Sequence, residues 1–158
     1  MTKLSAARAS HEERKFTKVL HLHVSVSRDG KAARRYCRGM ATNGLIQGHL
    51  LRQRLLQLPV PAETLAAIQN AHRQSRTVEE MDALISDQVI DDSGIVIAGT
   101  PAACINQLDQ ILRAAKPYRF DIVDIASPLG PNWDEAIDLI CQEIIPELER
   151  RSDTYLEP

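Results

Sequence analysis

Between Val19 and Val26 the chain alternates strictly. Leu20, Leu22, Val24 and Val26 fall on one face and His21, His23 and Ser25 on the other, the period-two pattern of a half-buried strand. Ser27-Arg28-Asp29-Gly30 breaks it. Asp29 is placed to cap a helix that starts at Lys31 and carries Ala33, Tyr36, Cys37 and Met40 inward, with Asn43-Gly44 as its expected stop. From Leu45 to Asp92 the pattern is helical and contains no convincing strand. Leu45–Leu58 is apolar on one side, Pro59 and Pro61 end it, Ala62–Arg73 carries Leu65 and Ile68, and Thr77-x-x-Glu80 has the spacing of a capping box. A second apolar run, Ile95–Ala98, ends at Gly99. Thr100-Pro101 then opens a helix whose Ile105, Leu108, Ile111, Leu112 and Ala115 recur at helical spacing. A third run, Asp121–Ala126, ends at Ser127-Pro128-Leu129-Gly130-Pro131. Asn132-x-x-Glu135 opens the last helix, with Ala136, Ile137, Ile140, Cys141, Ile144 and Leu148 as its expected buried stripe and Pro146 expected to loosen a turn.

Strand, helix, strand, helix with short joints predicts an α/β fold with parallel strands and crossover helices. A crossover needs about a dozen residues, so the helices between Leu45 and Asp92 read as an insertion beside the sheet. The whole chain, residues 1–158, reads as one domain.

Composition narrows the function classes. With 158 residues, 44% hydrophobic, 25% charged and a net charge of −2, the chain has an ordinary globular profile and no basic footprint for nucleic acid. No apolar run approaches the roughly 20 residues of a membrane helix, and the polar start, MTKLSAARASHEERK, lacks the apolar centre of a signal peptide. Cys37, Cys104 and Cys141 form no CxxC motif. They read as partly buried thiols in helices, in keeping with a reducing cytoplasm.

Candidate chemistry is sparse. His21 and His23 place two imidazoles on one side of a strand, about 7 Å apart by strand rise; with Asp124, the carboxylate inside the third strand, they raise the alternative of a metal-dependent hydrolase. The alternative to metal is polar side chains facing a hydrated barrel mouth. Gly99-Thr100 leads into a helix N-terminus, which favours an anion. The Ser127–Pro131 loop follows a strand, where parallel α/β folds carry ligands. Arg28, at a strand end, is better placed to meet an anionic group than Lys31, Arg34, Arg35 and Arg38, which read as a solvated helix face. Trp133 is expected to pack at the start of the last helix.

Three stretches, IAGTP at Ile97–Pro101, SPLGP at Ser127–Pro131 and EIIPEL at Glu143–Leu148, together resemble the C-terminal end of the bacterial luciferase-like flavin or deazaflavin oxidoreductases, nearest the methylenetetrahydromethanopterin reductase branch. HVSVSRDGKAAR at His23–Arg34 is similar to that family's strand-then-helix in its sixth barrel unit. The resemblance spans about Phe16 to Leu148. It implies a TIM-type (β/α)8 barrel of which the chain supplies about three βα units, strands six, seven and eight, with a helical insertion at about Leu45–Asp92. A whole barrel takes about 250 residues and eight strands. The implied chemistry is hydride transfer or monooxygenation with FMN or a deazaflavin coenzyme, on a small-molecule substrate. By the resemblance, most cofactor contacts and the best-attested catalytic groups lie in an N-terminal half. This stretch is left with substrate-side and pocket-wall positions: Ser27, Arg28, Thr100 and Ser127. The implied partner is a complementary barrel half or a second copy; a non-catalytic, self-associating interaction module is the alternative.

Overall fold

A computed structural model describes residues 16–47 and 60–151. The elements run β1 (Val19–Val26), α1 (Gly30–Ile46), α2 (Ala62–Arg73), α3 (Val78–Asp82), α4 (Asp87–Ser93), β2 (Val96–Gly99), α5 (Pro101–Ala115), a 3-10 turn, β3 (Ile122–Leu129), α6 (Trp133–Leu139), a π turn at Ile140–Ile144 and α7 (Ile145–Arg150). The α/β class and the parallel sheet are as expected, and the insertion contains only helices among its described residues. The expected helix at Leu45–Leu58 lies mostly outside the described residues.

The strand order is β2-β1-β3, every pair parallel. Three consecutive barrel strands would put β2 in the middle, so the expected neighbour order is corrected. β1, eight residues long, lies between the four-residue β2 and the eight-residue β3. Leu20, Leu22, Val24 and Val26 join Ile97 in one core with Leu108 and Ile111 of α5, Ala136 and Leu139 of α6, and Ile144. On the opposite face Val96 and Ala98 pack with Cys37 of α1, and Ser25, fully buried, donates its hydroxyl to the Ala33 carbonyl at 2.9 Å. Helices therefore lie on both faces of the sheet. A third core joins Ala41 and Leu45 of α1 to Ile68, Ile85, Val89 and Ile90 of the insertion.

Several local readings are corrected. Asn43-Gly44 does not stop α1, which continues to Ile46. Gly44 is there for room: a Cβ on it would lie 2.6 Å from Ile95 Cγ2. β3 runs on through Ser127-Pro128-Leu129, with a cis Ser127–Pro128 peptide; an edge strand tolerates a proline that cannot donate. The last helix widens into the π turn just before Pro146, which has no N–H to offer. Along this helix Leu139, Ile140 and Ile144 are buried while Ile137 and Cys141 face solvent. Trp133 is 53% exposed rather than packed. Arg34 and Arg38 are not a free solvated face. Arg34 pairs with Asp91 at 3.0 Å, and Arg38 pairs with Asp87 and donates to the Ile85 carbonyl, so both tie α1 to the insertion.

Candidate functional site

In a parallel sheet all carboxyl ends lie together, and the following helices start there. Here β1 ends in Ser27-Arg28-Asp29, β2 in Gly99-Thr100 and β3 in Leu129-Gly130, with Val26 in register with Gly99 and Ser25 with Leu129. Because α1 leaves β1 toward one face while α5 and α6 lie on the other, the gap between the β1 and β3 ends is a topological switch point, the crevice where open α/β sheets bind ligands.

Capping residues shape this rim as the sequence predicts. Asp29 accepts from Lys31 N at 3.0 Å, and Thr100 caps α5 by accepting from Ala103 N at 3.4 Å, with Pro101 in the first turn. Asn132 caps α6 by accepting from the backbone N–H groups of Asp134 and Glu135 at 3.1 and 3.2 Å. Glu135 does not complete the expected capping box. Its carboxylate reaches across the gap and accepts from the Arg28 N–H at 3.2 Å and from the Ser27 hydroxyl at 3.3 Å. Gly130 makes that approach possible: a Cβ on it would sit 2.3 Å from the Val26 carbonyl oxygen. Gly30 does the same for α1, since its Cβ would meet Thr100 N at 3.1 Å.

The four predicted site residues divide. Ser27 is buried; besides its bond to Glu135 it accepts from Asp29 N at 3.2 Å, and its own N–H donates to the Gly99 carbonyl at 3.2 Å. Arg28 is exposed and its guanidinium meets Glu143, with one contact at 3.1 Å. Thr100 stands beside Gly30 at the β2 end. These three come together at the rim. Ser127 lies apart, on β3 across the central strand, and its carbonyl accepts from His23 Nδ1 at 2.6 Å. Glu135, Glu143 and Gly30 were missed as site residues. Glu135 carried a signal, a carboxylate just past the third strand, but its spacing to Asn132 fitted a local cap equally well.

The arginines at this end are matched by carboxylates: Arg28 by Glu143, Arg34 by Asp91 and Arg38 by Asp87. The histidines occupy the sheet face away from α5 and α6. His21 Nδ1 donates to Asp124 at 2.7 Å, which supplies the partner that a strand carboxylate requires. Among the described residues no three His, Cys, Asp or Glu side chains gather so as to hold a metal ion; each imidazole turns Nδ1 to a protein acceptor, and His72 lies exposed on α2. The metal alternative gains no third ligand among the described residues; His49 lies outside them. No helix among the described residues is long and apolar enough to cross a membrane.

No protein-family model matches the sequence, and no curated protein matches it. Among solved structures the chain is similar to the coenzyme F420 dependent tetrahydromethanopterin reductase from Methanopyrus kandleri, with a TM-score of 0.65 and 20% identity over 82% of this chain. The match covers 35% of the reductase chain, so this sequence spans about a third of that protein's length. The likeness is one of fold: a mixed α/β chain matching part of a luciferase-like barrel protein.

Proposed function

We propose that this chain is the C-terminal part of a luciferase-like oxidoreductase that uses a deazaflavin coenzyme for hydride transfer to or from a small molecule. In that reading it forms the substrate-side wall and relies on a complementary barrel half for the coenzyme. The observation that carries the reading is the match of 82% of this chain to part of an F420-dependent reductase. Two features support it. Ser27, Arg28 and Thr100 gather at the carboxyl ends of the strands, where barrels keep their reacting groups, and Ser127 lies on the neighbouring strand. Arg28, the arginine at that rim, is already paired with Glu143, which suits a wall rather than a phosphate site. When bound, the coenzyme would supply the hydride chemistry while the protein orients and shields. FMN in place of a deazaflavin, monooxygenation in place of hydride transfer, and a cytoplasmic location belong to the same proposal.

The test is to titrate coenzyme F420 into the chain alone and into the chain mixed with a matching N-terminal barrel half, following coenzyme fluorescence. Binding only in the mixture is the expected result. No gain from the added half would sink the reading.

A second reading, a self-associating module without catalysis, is favoured by one feature. Val19, Ile122 and Val123, on the central strand and on edge strand β3, stay 45–50% exposed, and such edges invite pairing. Light scattering across a concentration series checks it: a monomer at every concentration would rule it out.

A further inference from the structure

The open stretch of the sheet holds a cluster that the oxidoreductase reading does not use. In register, Val19 lies opposite Ile122, His21 opposite Asp124 and His23 opposite Ala126. Strand alternation puts all six on one face. Val19 and Ile122 remain 47% and 50% exposed, and the His21 and Asp124 side chains are about half exposed.

The hydrogen bonds dictate the protonation of both rings. His21 Nδ1 lies 2.7 Å from an Asp124 carboxylate oxygen, and His23 Nδ1 lies 2.6 Å from the Ser127 carbonyl oxygen. A carboxylate and a carbonyl only accept, so Nδ1 carries the proton in each ring and Nε2 of the neutral imidazole is a bare lone pair. The rings meet edge to face with centroids 4.8 Å apart, which limits rotation of either. A carboxylate that fixes one ring nitrogen while the other faces a reactant is the arrangement that lets an imidazole accept a proton and be stabilised as the cation.

We propose that His21, oriented by Asp124 and packed edge to face against His23, is a general-base site for a hydroxyl compound, water or a small alcohol. In the step the O–H bond breaks and its electron pair stays on oxygen. The proton passes to His21 Nε2, and the imidazolium keeps its Nδ1 proton on the Asp124 carboxylate. No electrons are exchanged, and no cofactor is needed. The site can therefore be tested on the chain alone, without the coenzyme.

The probe is p-nitrophenyl acetate. Water gives its proton to His21, its oxygen adds to the acyl carbon and p-nitrophenolate leaves with the bond's electron pair. Wild type is expected to hydrolyse it at least about a hundredfold faster than H21Q, the low end of general-base effects, with a normal solvent deuterium isotope effect. D124A removes the acceptor that holds the Nδ1 proton; it should lose most of the rate while keeping the wild-type circular dichroism. Histidine nitrogen NMR gives a readout that needs no turnover: His21 should be held as the Nδ1–H tautomer in wild type and lose that preference in D124A. Equal rates for wild type and H21Q would overturn the proposal. So would acetyl transfer to His21 with no isotope effect, because the ring would then be a nucleophile rather than a base.

Discussion

Gly130 is the position where one added methyl group should do most damage to the strand-end rim. Its φ is +157°, and a Cβ there would stand 2.3 Å from the Val26 carbonyl oxygen and 3.2 Å from Ala136 Cβ. Real Cβ contacts essentially never fall below 3.0 Å, so about 0.7 Å has to be found, and on one side the obstacle is strand backbone. Either β1 must give at its last residue, which is fully buried, or the β3–α6 joint must swing away and carry Glu135 off Ser27 and Arg28. Overpacking of a fixed interior costs about 1–3 kcal/mol, and a side chain at a glycine-type φ adds about 1–3 kcal/mol. For G130A we expect about 3 kcal/mol after relaxation. At about 2–4 °C per kcal/mol for a chain of this size, the melting temperature should fall by about 6–12 °C. Urea unfolding followed by circular dichroism measures the free energy directly. A G130A protein within about 0.5 kcal/mol of wild type would refute the close approach of β3 to the β1 end, and with it the geometry of the rim.

Other outcomes follow from packing and charge. Leu22→Ala and Ile144→Ala each empty a fully buried site and should cost about 2–5 kcal/mol in urea melts, whereas Ile137→Ser, on the exposed side of the same last helix, should stay within about 0.5 kcal/mol. Burial pushes the Cys37 thiol up to about 11 and the Cys104 thiol up to about 12. Both stay protonated at neutral pH, so a thiol reagent should label Cys141 alone in the native protein and all three cysteines in urea. Hydrogen bonds from Arg150 and Arg151 hold the Glu147 carboxyl down to about 2. A depressed carboxyl stabilises above its ordinary value of 4.5 and loses that contribution as pH falls toward 2; carboxyl carbon NMR of Glu147 should show its midpoint near 2, and a midpoint near 4.5 would show the pair absent in solution.

What could be read from the sequence was whatever a few neighbouring residues decide among themselves. The bounds of β1, the Asp29 cap, the Thr77–Glu80 box and the Thr100-Pro101 start are local, and all are present. Three of the misreadings share a cause, a partner distant in sequence. Gly44 looked like a helix stop because its reason, Ile95, lies about fifty residues on. Arg34 and Arg38 looked solvated because Asp91 and Asp87 come from the insertion. Glu135 looked like half of a local cap because its true acceptor role, for Ser27 and Arg28, crosses the sheet. The stripe of the last helix was read at a constant 3.6-residue period, and the π turn before Pro146 breaks that period. Of the candidate site, the strand-end positions were legible, since any parallel sheet gathers them; the carboxylates that hold them were not.

Strand order separates the proposals made here. A closed barrel keeps all its helices outside and orders its strands as in the chain, which would place β3 beside β2. In this sheet β3 lies beside β1, and helices lie on both faces, as right-handed crossovers running in opposite directions, β1 to β2 and then β2 past β1 to β3, require. The carboxyl ends lie on one side in either arrangement, so Ser27, Arg28 and Thr100 reach the rim whether or not the sheet closes. The His21–Asp124 bond is different, because it exists only while β1 and β3 are neighbours. If a complementary half converts the sheet to barrel order, the Nδ1–H signal of His21 hydrogen-bonded to Asp124 should vanish on mixing while coenzyme binding appears. If the half docks on the free edge of β3 and leaves the order intact, the signal should persist with the binding. Loss of the signal without any coenzyme binding would count against both arrangements, since the added half would then disrupt the sheet without completing a site.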